Sequence, residues 1–174
     1  MRRSAHLLLL LRHAIAEEPT NERGDEERRL TAEGKRKLRE VVAGMRALEL
    51  PVEAILTSPL RRAHETAVIV GEGYERAPVE EITALAPGGD PDAVLKGLAR
   101  YRDRAAIVLV GHQPDLGELA SILVTGTRGL VPLPFKKSGL AGIVVTTLPP
   151  RAAGVLEFFF GPGHLRRIGR AGLE

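Results

Sequence analysis

The sequence predicts an α/β fold: a single three-layer α/β/α domain with a mainly parallel central sheet and helices on both faces. Three observations carry this expectation. Apolar runs of strand length alternate with segments of helical periodicity, which is the pattern of βαβ units. Two of those runs, Leu7 to Leu11 and Ala105 to Val110, are apolar without alternation, as strands buried on both faces must be. The 174 residues suffice for one ordinary core and are few for two, so the domain is expected to span 1–174 with its core over about 7–160.

The elements follow in order. After the Leu7 to Leu11 strand, Leu38, Val41, Val42, Met45 and Leu48 fall on one side of a helix, with Thr31 as its N-cap. Pro51 follows that helix, and Glu53 to Leu56 reads as the second strand. Pro59 stands where a first helical turn tolerates it, which predicts a helix from Leu60 to Val70, ending at Gly71. A short extended piece at Val79 to Ile82 leads into the loop APGGD and then a helix from Asp92 to Tyr101. The strand Ala105 to Val110 is followed by Gly111, His112 and a helix from Asp115 to Val124. Gly142 to Leu148 and Val155 to Phe160 read as strands joined by the turn PPRAAG, so at least one strand is expected to be antiparallel.

Composition narrows the classes of function. Hydrophobic residues make up 44% and charged residues 27% of the chain, as in a soluble globular protein. With 3% aromatics there is little to stack bases on, which argues against a nucleic-acid partner. No cysteine is present, so disulfides, thiolate catalysis and Cys-based zinc sites are excluded. The formal charge is +3 and the pI about 9.6, which favours anionic partners, phosphates among them. The opening MRRSAHLLLLLRH has too short an apolar run for a signal peptide and lacks a cleavage site. No segment has the length of a membrane span, and a cytoplasmic protein without a membrane partner is expected.

In parallel sheets ligands bind at the carboxyl ends of the strands. Arg12-His13 and Gly111-His112 both stand at such ends, so both histidines should face one crevice. Between them lies Thr57-Ser58-Pro59-Leu60-Arg61-Arg62-Ala63-His64-Glu65-Thr66. Read together, these segments resemble the histidine phosphatase superfamily, the phosphoglycerate mutase-like or RHG family. The order matches: a first strand ending in Arg-His, a helix opening with Ser-Pro-x-x-Arg-Ala-x-x-Thr, and a later strand ending in Gly-His. Within the superfamily the chain is most similar to the small phosphohistidine phosphatases of the SixA type. It is short, Gly-His is followed by Gln113-Pro114, the third-strand loop reads LAPGGD, and a lysine pair opens the stretch FKKSGLAGIVV.

The resemblance implies a phosphoglycerate mutase-like fold and a cofactor-independent phosphatase in which His13 carries the phosphoryl group transiently. It implies that Arg12 and Arg62 bind phosphate and that His112 is the second active-site histidine. The chemistry agrees with those residue types. A neutral imidazole is a competent nucleophile, and phosphoryl transfer requires a cationic cradle for the equatorial oxygens. Arginine suits that cradle because its charged fork spans two oxygens. Nearby cations are expected to keep His13 neutral, and bound phosphate to act in the opposite sense. Of the adjacent arginines, the family spacing selects Arg62; Arg61 points about 100° away on a helix and is expected in solvent. Ser58 reads as the N-cap of that helix, with a contact to phosphate as its second reading.

Two departures stand out. The family's Arg-His-Gly is here Arg12-His13-Ala14, and alanine tolerates positive φ less well than glycine. Mutases and sugar phosphatases place an acid after the third strand, whereas this chain has Ala84-Leu85-Ala86-Pro87, with Glu80, Glu81 and Asp90 nearby but unmatched. Without an acid, ordinary phosphomonoester hydrolysis should slow by on the order of 10² to 10⁴-fold. A phosphohistidine depends on such an acid less, because a protonated imidazole leaves readily. The leading expectation is therefore a phosphohistidine phosphatase acting on a phosphorylated protein, with phosphate or sulfate able to occupy the site. The alternatives are a broad small-molecule phosphomonoesterase and a non-catalytic phosphate-binding interaction module.

The remaining candidates read more plainly. His6 is a strand-end residue, His64 a helix-surface histidine, and His164 part of a solvated basic tail, HLRRIGR. Lys136 and Lys137 fit either a solvated pair or one that steers an acidic partner or phosphate. No two histidines have a metal-ligand spacing, so no metal site is expected. Gly88-Gly89 is a turn without the dinucleotide fingerprint around it.

Overall fold

A strand of consecutive leucines has no face to offer water, and the fold places it inside. The computed structural model describes residues 5–20 and 24–172. In it β1 (His6–Arg12) lies between β4 (Ala106–Gly111), parallel to it, and β5 (Leu140–Val145), antiparallel to it. With β2 (Ala54–Thr57), β3 (Val79–Glu81) and β6 (Val155–Phe160), the six-stranded sheet has the order β3-β2-β4-β1-β5-β6. β5 is the strand that runs against the rest.

Successive leucines of β1 serve opposite faces of the sheet, as strand geometry requires. Leu8 and Leu10, with Ile107 and Leu109, pack against Leu116, Leu119 and Leu123 of α4 (Asp115–Thr125) and against Phe135. Leu9 and Leu11, with Val108 and Val110, pack in a second core. That core contains Leu38, Val41 and Met45 of α1 (Ala32–Ala47), Ala67 and Val70 of α2 (Arg61–Glu72), and Leu165 of α5 (Pro162–Ala171). The short α3 (Pro91–Gly97) contributes Val94 to the first core. Each leucine buried this way contributes roughly 1.5–3 kcal/mol, so β1 anchors both layers at once. Thr31 caps α1 as its position predicts, its hydroxyl accepting from the Gly34 N–H at 2.9 Å.

Three elements differ from the sequence reading. The helix expected from Asp92 to Tyr101 closes at Gly97 and continues as a 3₁₀ turn, Leu98–Tyr101. β5 begins and ends earlier than Gly142 to Leu148, because Leu140 and Ala141 pair with β1 opposite Leu11 and Leu10. The largest difference is the C-terminal HLRRIGR, which is not a solvated tail but most of α5. Pro162 occupies its first turn, Leu165 is fully buried, and Arg166 and Arg170 both donate to Glu40 of α1, at 2.8 and 2.9 Å. His164 lies on its exposed side.

α1 and α5 approach closely because each presents a glycine. A Cβ on Gly169 would lie 2.6 Å from the Glu40 carbonyl oxygen, and one on Gly44 would run into the Leu165 carbonyl. Gly44→Ala should therefore destabilise the protein by about 1–3 kcal/mol in equilibrium urea unfolding, as overpacking does. Helix propensity alone would favour the alanine by about 1 kcal/mol, so a stabilised variant would refute the close contact.

Candidate active site

The register of the parallel strands brings the distant motifs together. Arg12 pairs with Gly111 across β1 and β4, and the chain leaves the sheet with the His13 N–H donating to the Gly111 carbonyl at 3.1 Å. Thr57 pairs with Val110, and the Ser58 N–H donates to the Val110 carbonyl at 3.0 Å. His13, Ser58 and His112 thus leave neighbouring strands at one edge. The two imidazole rings stand 5.1 Å apart between centroids, and the Ser58 hydroxyl lies 2.8 Å from His112 Nε2.

Arg12 is held by one terminal nitrogen and Arg62 by both. Arg12 Nη1 donates to the Phe135 carbonyl at 2.8 Å. Arg62 Nη1 donates to the Asp25 carbonyl at 2.7 Å, and its Nη2 to the Asp25 carboxylate at 2.9 Å. Arg12 Nε, Arg62 Nε and His112 Nδ1 are buried without a hydrogen-bond partner among the described residues. A buried donor left unpaired costs about 1–3 kcal/mol, more if charged, a cost that an anion bonded to all three would relieve.

The histidine tautomers follow from their partners. His13 Nδ1 lies 2.8 Å from the Ala14 carbonyl oxygen, which can only accept. The proton is therefore on Nδ1, and Nε2 presents its lone pair. Ser58 Oγ accepts from the Leu60 N–H at 3.2 Å, leaving its own proton for His112 Nε2. That places the His112 proton on Nδ1, the unpartnered nitrogen. Burial is the main force on both rings. It pushes the His13 imidazole down to about 3, the cations and His112 adding to it against the opposing pull of the Ala14 carbonyl. His112 is pushed down to about 4 by burial and then Arg62. Desolvation exceeds the cationic neighbours that the sequence brought to attention.

The site residues named from sequence, Arg12, His13, Ser58, Arg62 and His112, all lie at this edge of the sheet. Arg62 is 4% exposed, whereas Arg61 is partly exposed and pairs with Glu65 at 3.1 Å. Ser58 is not the helix cap; Leu60 is, and it has no side-chain cap bond. The Ser58 side chain instead spans from the Leu60 N–H to His112. Ala14 has no positive φ, so alanine carries no backbone strain there, and its methyl is fully buried in the second core. His6 is buried at the strand start against the Arg104 carbonyl, and His64 lies 2.9 Å from the Glu81 carboxylate. Gly88-Gly89 forms a turn whose Gly88 N–H donates to Asp115. The acids near the third strand are all engaged. Glu80 pairs with Arg100 and accepts from the Tyr101 hydroxyl, Glu81 meets His64, and Asp90 caps α3.

Three positioning residues escape the sequence reading. Thr66 Oγ1 accepts from the Ala14 N–H at 3.1 Å and donates to the Arg62 carbonyl, clamping the first strand's end onto α2. Its place in Ser-Pro-x-x-Arg-Ala-x-x-Thr was the available signal. The Ser138 N–H donates to the carbonyls of Arg12 and His13 at 3.1 and 3.3 Å. Asp25 comes from a 3₁₀ turn, Asp25–Glu27, in a loop without a motif. Arg28, and then Arg62, hold its carboxyl below the usual carboxylate range.

Two outcomes test this geometry. Both histidines titrate lower folded than unfolded, so between pH 6.5 and about 4 the unfolded chain binds more protons. Stability should fall as pH falls through that window, and His13→Gln and His112→Gln should each make the fall shallower in urea titrations. Ser58→Ala should weaken inorganic phosphate binding roughly fivefold to tenfold, the value of an ordinary hydrogen bond, and redistribute the His112 tautomers in nitrogen NMR spectra. Unchanged binding and tautomers would remove Ser58 from the site.

Comparison with known proteins places this site in context. The sequence profile of the histidine phosphatase superfamily (branch 1) matches residues 8–86. An uncharacterised protein of Picosynechococcus is 38% identical over 138 residues, which span 78% of this chain and 83% of that protein. The protein histidine phosphatase SixA, solved with tungstate, shares the fold with a TM-score of 0.80 at 24% identity, over 91% of this chain and 99% of that one. A mycobacterial glucosyl-3-phosphoglycerate phosphatase matches with a TM-score of 0.67 at 17% identity, over 90% and 99% of the two chains. With the Arg-His and Gly-His strand ends brought together on a SixA-like, phosphoglycerate mutase-like fold, the chain belongs to the histidine phosphatase superfamily.

Proposed function

We propose that the protein is a phosphatase that removes phosphate from phosphohistidine, through a phosphoryl group carried on His13 and without a cofactor. The observation that carries this reading is the His13 ring itself. Its proton is committed to the Ala14 carbonyl, and its free Nε2 shares the crevice with the unpaired donors of Arg12, Arg62 and His112. Nε2 attacks phosphorus, the P–N bond to the substrate ring breaks, and that bond's electron pair returns to the substrate nitrogen. The guanidiniums and His112 Nδ1 neutralise the equatorial oxygens.

The second step supports the same reading. Phosphorylated His13 keeps its Nδ1 proton on the Ala14 carbonyl, so it is already the cationic ring that leaves easily. Water attacks phosphorus, the Nε2–P bond breaks onto Nε2, and water's proton goes with the phosphate. No acid is required to release His13. Nor does the segment Ala84-Leu85-Ala86-Pro87 supply one to an alkoxide, and Glu80, Glu81 and Asp90 are engaged elsewhere. A phosphohistidine substrate matches that endowment; a sugar phosphate does not.

Rapid quench with labelled phosphohistidine should trap a base-stable, acid-labile phosphate on the wild-type protein and none on His13→Ala. Specificity constants, kcat/KM, should favour phosphohistidine over sugar phosphates. A preference for sugar phosphates would make the protein a small-molecule phosphomonoesterase. Absence of both label and turnover would leave a phosphate-binding module.

A further inference from the structure

We infer that the Asp25 carboxylate receives the leaving ring, accepting the N–H of the substrate's imidazole while His13 takes the phosphoryl group. The inference rests on the phosphohistidine reading above and adds to it the residue that makes an imidazole the preferred leaving group. Asp25 belongs to neither strand-end motif, yet it is bonded directly to Arg62. Its backbone carbonyl and its Oδ2 both accept from Arg62, at 2.7 and 2.9 Å. Among the described residues it is also the carboxylate whose charge acts on His112 against the surrounding cations.

The state of this carboxylate suits one kind of leaving group. Arg28 Nη1 donates to Oδ1 at 2.8 Å and Arg62 to Oδ2, so Asp25 is ionised at neutral pH. An ionised carboxylate cannot protonate an alkoxide, and beside a phosphate it repels the substrate's own charge. To a phosphomonoester its charge offers nothing beyond the anchoring of Arg62. An imidazole differs because it is activated by a proton on its far nitrogen, away from phosphorus. A carboxylate that accepts that N–H favours the cationic ring, and a cationic ring loses phosphorus more readily. As the P–N bond breaks, its electron pair goes to the near nitrogen and the ring departs neutral, still carrying the far N–H. Asp25 thus does for the substrate ring what the Ala14 carbonyl does for His13.

The geometry leaves room for this. Each carboxylate oxygen accepts one side-chain bond, the Asp25 side chain is 53% exposed, and an ionised carboxylate has lone pairs to spare. The carboxylate also reaches the site from the loop after β1, on a turn separate from the Ala84-Leu85-Ala86-Pro87 segment where an acid is missing.

The test compares phosphoimidazole with p-nitrophenyl phosphate, whose leaving group needs no proton. Asp25→Asn keeps the backbone bond to Arg62 and an oxygen for Nη2 but loses the charge. Its kcat/KM for phosphoimidazole should fall at least tenfold more than its kcat/KM for p-nitrophenyl phosphate. Equal losses on the two substrates would mean that Asp25 only positions Arg62, and would overturn the inference; no loss on either would do the same. Asp25→Ala, which also loses the side-chain bond to Arg62, should add a loss common to both substrates. If the wild-type protein itself prefers sugar phosphates to phosphoimidazole, the phosphohistidine reading fails first, and the variants are not what decides it.

Discussion

Two neighbouring guanidinium groups, Arg12 half-buried at the end of β1 and Arg62 buried in the first turn of α2, are the constraint on which the site depends. Arg62 lowers the pKa of Arg12, after burial, and both depress the neighbouring imidazoles. Such a pair is tolerable only if each cation is anchored, because a desolvated charge without partners is costly. The fold supplies one carbonyl to each, Phe135 for Arg12 and Asp25 for Arg62, and Asp25 adds its carboxylate. What the anchors leave unpaired, among the described residues, are the two Nε donors and His112 Nδ1.

The same burial sets the state of the His13 ring. A solvent-exposed histidine would be partly protonated near neutrality, whereas His13 is neutral well below it, with its free nitrogen selected by the Ala14 carbonyl. Ala14 fits where the family has glycine because its φ is ordinary and its methyl enters the core that holds Ala63. Thr66 then ties Ala14 to the helix that carries Arg62, so the His13 segment and Arg62 are set by one hydroxyl. Ser58 has the corresponding place for His112.

Much of the fold was legible from local pattern. Unbroken apolar runs marked β1 and β4, helical periodicity marked α1, and Thr31 capped it as a threonine at that position should. The failures share a cause. α5 has a strongly basic composition, and its burial rests on Leu165, two close glycine contacts and the pairing of Arg166 and Arg170 with Glu40, none of which is local. Ser58 looked like a helix cap because sequence shows its neighbour Pro59 and not His112, 54 positions away.

For the site, the sequence by itself determined which residues stand at the strand ends: Arg12-His13, Ser58 with Arg62, and Gly111-His112. Short motifs carry that information because strand, turn and helix start are local events. Only the tertiary structure decided the rest: which ring nitrogen holds each proton, which donors remain free, and that Asp25 is the carboxylate bonded to Arg62. Those outcomes depend on hydrogen bonds between residues such as Asp25 and Arg62, 37 positions apart, and on burial that exists only once both faces of the sheet are covered.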